Sequence, residues 1–246
     1  RQLTAEGIDT APLTAHGSLG TSTTAVLIDP GGERSFAHHV GAPSAIDLAF
    51  IESLSDSLSR SRWVLFGYLG LLPGLEPQLG EAMAAAKRAG CLVALETGGS
   101  GGTLEQLAPA LPHIDLYVPS LDEAVHQTGL HDPHAIIACY RDHGATGIVG
   151  VKLGTEGALL TQPSALEAER EVRVPCLTPP GPVVDTTGAG DAFLAGLLTG
   201  LLRAMPLADA GLLAAANAAR CVTGYGATAA LRDFDTTWQL TTAATR

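Results

Sequence analysis

Polar and apolar residues alternate through two short runs near the start of the chain, Thr21 to Asp29 and Arg34 to Val40, with Pro30-Gly31-Gly32 between them. The first run is rich in β-branched side chains, and the pattern predicts an antiparallel hairpin with one exposed face, suited to a flap beside a larger body. The pattern then changes. Ile46 to Leu58 has helical spacing, Trp63 to Phe66 is a short apolar strand, Leu75 to Ala89 an alanine-rich helix, and Cys91 to Leu95 again an apolar strand. The alternation recurs with Leu104 to Ala110 as a helix, Ile114 to Val118 as a strand, Leu121 to Thr128 and Pro133 to His143 as helices, and Gly147 to Leu153 as a strand. Short all-apolar strands separated by helices predict an α/β fold built on a buried, mainly parallel sheet covered on both faces. Two further strand-like runs, Ala158 to Thr161 and Glu171 to Val174, precede the turn Thr178-Pro179-Pro180-Gly181-Pro182. Gly188 to Arg203 and Pro206 to Thr223 are dominated by Ala and Leu and read as long helices packed on the sheet. No internal repeat and no long linker divides the chain, so one principal domain is expected.

Composition narrows the partners. A formal charge of -11, from 14 basic and 25 acidic residues, repels nucleic acid phosphates and acidic membrane surfaces, leaving a small molecule as the expected partner. Lys87 and Lys152 are the two lysines, so any mechanism that needs a lysine has two candidates. Cys91, Cys139, Cys176 and Cys221 are far apart, form no CxxC and sit in apolar surroundings, as small core residues do in a reducing cytosol. The start, from Arg1 to Glu6, has neither a signal-peptide nor a transit-peptide pattern, and no uncharged apolar stretch of about 18 residues occurs. A cytoplasmic protein is expected.

The chemistry concentrates in Val184-Asp185-Thr186-Thr187-Gly188-Ala189-Gly190-Asp191-Ala192-Phe193, which joins an extended segment to an apolar helix. Small residues at 188 to 190 let a ligand approach the backbone, and the first amides of a helix lack partners inside it. Those amides and the helix dipole favour an anion, a phosphoryl group above all. Asp191 beside such an anion is unfavourable as a static charge but suited to accepting the proton of an attacking hydroxyl. Spacing alone leaves a second reading open, in which Asp191 merely caps the helix.

This segment resembles the C-terminal signature of the PfkB, or ribokinase-like, carbohydrate kinase family, which runs DTxGAGD; every fixed position is present from Asp185 to Asp191. Other stretches are similar in the same order: Gly7 to Thr10, Gly32 to Phe36 and Gly41-Ala42 to the lid region, Trp63 to Gly74 and Val93 to Thr97 to central strands, and Asp115 to Ala124 and Val151 to Gly157 to the nucleotide half. The resemblance implies a ribokinase-like three-layer α/β/α domain over residues 1–246 with a small β lid at about residues 12–42. It implies an ATP-dependent kinase of a sugar, sugar acid or nucleoside hydroxyl, with Mg²⁺ and in some members a monovalent cation such as K⁺. Family members carry some tens of residues before the equivalent of Gly7, including an acidic group that holds sugar hydroxyls. The expectation is therefore a chain lacking that N-terminal segment, and a catalytically impaired nucleotide-binding relative is the alternative function.

By the same resemblance Asp191 is the catalytic base, with Gly188, Ala189 and Gly190 as the anion loop. Pro119-Ser120-Leu121-Asp122-Glu123 is similar to the family's P-N-x-x-E, so Glu123 is implied near Mg²⁺, with Ser120 where Asn is usual. A solvated helix-start glutamate is the other reading. Lys152, Gly154 and Gly157 resemble the strand and turn beside the ATP phosphates and adenine, against a merely solubilising Lys152. Asn217 is implied near adenine, or else in a backbone contact within the last apolar helix. Asp185 and the loop 224–227 resemble the monovalent-cation site. Glu96 is placed near the phosphates, and His38 and His39 on the lid facing the acceptor, or simply exposed. His126, His131 and His134 lack a metal-ligand spacing. Gly98-Gly99-Ser100-Gly101-Gly102 has no following Lys and makes no Walker A loop, and neither HRD nor DFG occurs. Residues 188–190 also lack the third glycine of a dinucleotide fingerprint. The edge of the hairpin can pair with a second copy, giving a homodimer through the lid.

Overall fold

The computed structural model describes residues 2–29, 31, 34–99, 101–163, 166, 167 and 170–244. Pro30, Gly32 and Glu33 of the hairpin turn and Ser100 of the glycine-rich run lie outside the described residues. The chain forms two compact units, one ending at His113 and one beginning at Ile114.

The first unit opens with α1 (Gln2–Ala5) and the antiparallel ribbon of β1 (Thr23–Ile28) and β2 (Arg34–His39), in which Val26 stands opposite Phe36 and Thr24 opposite His38. All six β1 residues are exposed, and so are residues 35–39 of β2. The alternation in this hairpin therefore marks no buried face, unlike the one-sided flap expected from it. The helical stretch after it is divided at Leu54 into α2 (Leu48–Ser53) and α3 (Ser55–Ser59), with Asp47 capping α2 by accepting from the Phe50 amide at 2.8 Å. β3 (Trp63–Gly67) and β4 (Leu92–Glu96) pair in parallel, and α4 (Leu79–Arg88) connects them. α4 begins at Leu79 rather than Leu75 because Glu76-Pro77-Gln78 form a tighter 3₁₀ turn. Its inward stripe, Leu79, Ala82, Met83 and Ala86, follows the helical period. α5 is a short piece, Leu104–Leu107, closed by a capping box between Thr103 and Gln106.

The second unit carries β5 (Leu116–Tyr117), α6 (Leu121–Thr128), α7 (Pro133–Asp142), β6 (Ile148–Lys152), β7 (Ala158–Thr161) and β8 (Glu171–Val174). β5 and β6 are parallel, while β7 is antiparallel to both β6 and β8. Two long helices follow, α8 (Ala189–Leu202) and α9 (Leu207–Cys221). They meet through small residues: a Cβ on Gly196 would fall 2.7 Å from the Ala214 Cα, and one on Gly200 2.6 Å from the Ala210 Cβ. Larger side chains there would push the helices apart and move the α8 N-terminus with them. The last helix, α10 (Phe234–Ala244), has no counterpart in the sequence reading. Asp233 starts it by accepting from the Thr236 amide at 2.8 Å, and the Arg203 guanidinium lies 3.9 Å over the Phe234 ring. Cys91 and Cys221 are buried as expected, whereas Cys139 is half-buried and Cys176 exposed; all four are free thiols.

Candidate active site

The second unit gathers most of the residues singled out by sequence around the start of α8. Gly188 is the N-cap, in the left-handed region at φ 77, and no side chain caps the helix. A Cβ at Gly188 would sit 2.3 Å from the Ala227 Cβ, so both the backbone angle and the packing require glycine. The Ala189 amide reaches back to the Thr186 carbonyl at 3.2 Å, and Ala192 closes the first helical bond on the Gly188 carbonyl at 2.8 Å. Gly188 and Gly190 donate their amides to no acceptor among the described residues. Such donors at a helix N-terminus form a ready anion site. Residues 188–190 are half-buried and Asp191 is exposed, so the loop is open to a ligand rather than sealed in the core. Asp191 lies in the first turn and is not the cap.

Lys152 supplies the cation. It ends β6, and its ammonium nitrogen lies 3.3 Å from the place a Gly190 Cβ would occupy, so the charge rests on the first turn of α8. Its amide donates to the Pro119 carbonyl at 2.8 Å, and residue 152 bridges Ser120 in parallel, which sets the start of α6 beside the end of β6. Ser120 caps α6 in a capping box: its Oγ accepts from the Glu123 amide at 3.3 Å, while Glu123 Oε2 accepts from the Ser120 amide and hydroxyl, each at 2.7 Å. Glu123 is buried, so a simple solvated glutamate is not what the fold contains. After Lys152 the chain turns through Gly154 and Gly157. Gly157, at φ 87, has no room for a side chain because a Cβ would fall 1.9 Å from the Val174 carbonyl oxygen.

Asp185 is an organiser of loops. Its Oδ1 accepts from the Thr187 amide and its Oδ2 from the Gly226 amide, both at 2.9 Å, tying the segment before α8 to the one after α9. The Val222 carbonyl accepts from the Val184 and Asp185 amides at 2.8 and 3.3 Å. Asn217 on α9 donates through Nδ2 to the Ala192 carbonyl at 2.8 Å, one residue beyond Asp191. The backbone contact is thus present, and it fixes α9 against the first turn of α8. Among the described residues no group of three or more His, Cys, Asp or Glu is arranged to hold a metal.

Other candidates have local roles. His38 pairs through Nδ1 with the Thr24 hydroxyl at 2.6 Å across the ribbon, and His39 is exposed. Glu96 is buried at the end of β4. His134 contacts Glu171 Oε2 at 3.1 Å on the surface. The sequence placed Ala227 in the loop 224–227 and Cys221 in the core but not their contacts with the anion loop, the Ala227 Cβ against Gly188 and the Cys221 thiol on the Thr187 carbonyl, which leave no motif.

This arrangement of a left-handed glycine, uncapped amides, a lysine and an exposed carboxylate coincides with a family signature. The sequence matches the pfkB family carbohydrate kinases over residues 1–233. The chain belongs to that family. Among pfkB relatives, it is 31% identical over 241 residues to the aminoimidazole riboside kinase of Salmonella typhimurium, covering 92% of this chain and 72% of that protein. It is 31% identical to the 1-phosphofructokinase of Rhodobacter capsulatus over 80% of this chain and 61% of the relative. An uncharacterized sugar kinase of Archaeoglobus fulgidus is 45% identical over 80 residues, 29% of its own length. The chain thus spans from less than a third to nearly three quarters of these relatives. Among solved structures, Arabidopsis thaliana ribokinase complexed with ribose and ATP superposes at a TM-score of 0.77 with 24% identity, covering 91% of this chain and 70% of that one. Aminoimidazole riboside kinase from Salmonella enterica, complexed with aminoimidazole riboside and an ATP analog, gives 0.75 with 26% identity, covering 98% and 80%. The fold is therefore ribokinase-like, a mixed and mostly parallel central sheet flanked by helices, as the alternation of strands and helices implies.

Proposed function

We propose that this pfkB-family protein transfers the terminal phosphoryl group of ATP to a hydroxyl of a sugar, sugar acid or nucleoside. The observation that carries the reading is the convergence of Lys152 and the uncapped Gly188 and Gly190 amides on the turn that presents Asp191 to solvent. Asp191 takes the proton of the acceptor hydroxyl as that oxygen attacks the terminal phosphorus, the bond to the bridging oxygen breaks and ADP leaves, and the exposed carboxyl then gives the proton to solvent. Gly188, Ala189 and Gly190 receive negative charge on the phosphoryl oxygens at fixed amides, which need no reorganisation during transfer. Lys152 adds a point charge on the same turn. Gly154 and Gly157 shape the turn beside the nucleotide, and Asn217 keeps α9 registered on the start of α8.

When bound, Mg²⁺ would neutralise phosphate charge, and it needs only one or two protein carboxylates. Glu123, whose Oε2 accepts from the Ser120 amide and hydroxyl, is the carboxylate that would hold it. The Asp185 loop, with the carbonyls of 222–227, is the place for a monovalent cation such as K⁺. Residues 12–42 serve as the lid of a single kinase domain, and the exposed β1–β2 ribbon, with Val26, Ile28 and Phe36 in solvent, is the surface for a homodimer. None of the described helices is long and apolar enough to cross a membrane; a cytoplasmic enzyme that binds neither nucleic acid nor an acidic membrane surface is the reading that the formal charge of -11 favours.

A panel of sugars, sugar acids and nucleosides, assayed with the full-length protein for acceptor-dependent ADP release, tests the reading. We expect one class to stimulate ADP formation well above the acceptor-free rate. No stimulation by any class, with ATP bound, would favour a nucleotide-binding relative without kinase activity.

A further inference from the structure

Two loops meet behind the amides that face the phosphate, residues 184–188 before α8 and 224–227 after α9. Asp185 holds them by their N–H groups, one carboxylate oxygen on Thr187 and the other on Gly226. Cys221, the last residue of α9, sits between the same two loops and addresses their carbonyls: its Sγ lies 3.2 Å from the Ala227 oxygen and 3.5 Å from the Thr187 oxygen. The side chain is fully buried. Its S–H can donate to either oxygen.

We propose that Cys221 is a positioning residue for the anion loop: its S–H, shared between the Thr187 and Ala227 carbonyls, completes from the carbonyl side the clamp that Asp185 makes from the amide side. The contact with Ala227 matters because that residue packs against Gly188, whose orientation aims the free amides. Without the donor, the two carbonyls lose a partner in a part-buried contact, and the relief available to them is separation of the loops. The proposal rests on the kinase reading, since it concerns the placement of phosphate-receiving amides.

The test compares the full-length protein with Cys221→Ser, which keeps a donor, and with Cys221→Ala and Cys221→Val, which do not. Affinity for a non-hydrolysable MgATP analogue is measured by calorimetry, with thermal unfolding in parallel. We expect the serine variant to bind within about twofold of the parent, and both donor-free variants to bind about tenfold more weakly, the scale of one net hydrogen bond. Valine fills the space alanine leaves empty, so weakened binding that tracks the missing donor rather than thermal stability supports positioning. Equal affinity of all four proteins, or loss in the alanine variant alone, overturns the proposal. A parent protein that binds no analogue overturns the nucleotide reading instead.

Discussion

Gly190 is where backbone, cation and ligand compete for one small volume. Its hydrogen leaves the Lys152 ammonium within 3.3 Å of the missing Cβ position and leaves its own amide open to an anion. Replacing Gly190 with Val covers that amide and pushes the lysine off the turn. Because an anion at a helix N-terminus is worth up to about 2 kcal/mol, we expect Gly190→Val to weaken MgATP about tenfold or more in a calorimetric titration. Unchanged affinity would show that the phosphates bind elsewhere. The residues of this turn were legible in the sequence because DTxGAGD is a contiguous pattern, each position tied to a physical demand. For Glu123 and Asp185 the resemblance implied places near Mg²⁺ and a monovalent cation, but not the contacts they make. That one closes a capping box and the other accepts two backbone amides depends on Ser120, Thr187 and Gly226, and no spacing rule reports which polar groups have been claimed.

At the scale of elements, the long apolar helices and short apolar strands could be read closely. α6, β7 and β8 begin and end where their patterns do, because Ser120 and Gly129 punctuate the helix, an apolar run defines β7 and alternating valines define β8. The ribbon misled, since polar-apolar alternation there serves an element exposed on both sides. α10 escaped notice because Thr236, Thr237, Thr241 and Thr242 dilute its apolar stripe and have poor helix propensity. Its start depends on Asp233, whose carboxyl is held below the ordinary carboxylate range first by the Thr236 amide and then by the Thr236 hydroxyl. A lowered folded-state pKa contributes stability that is fully present above the unfolded value and is lost as pH falls through the folded one. Asp233→Asn should therefore narrow the stability difference between neutral and acidic pH, as thermal melts across that range would show. A variant whose acid sensitivity equals the parent's would remove Asp233 from the account of α10.

Taken whole, the molecule is acidic, with a formal charge of -11, yet is proposed to bind a polyanion. A diffuse positive field cannot do this, so attraction must be local and short-ranged: oriented amides of one helix, one lysine and the metal that accompanies ATP. The same economy explains why fold and chemistry are coupled. The glycines that let α8 and α9 approach, the Asn217 contact to Ala192 and the Asp185 clamp all act on where the first turn of α8 points. The central claim is that this turn binds phosphate while Asp191 moves a proton, and Asp191→Asn separates the two roles. In full-length protein supplied with the acceptor that stimulates ADP release, we expect the variant to bind MgATP with nearly parental affinity while turnover falls by about 10²–10⁴-fold. Turnover that persists at the parental rate would contradict the account.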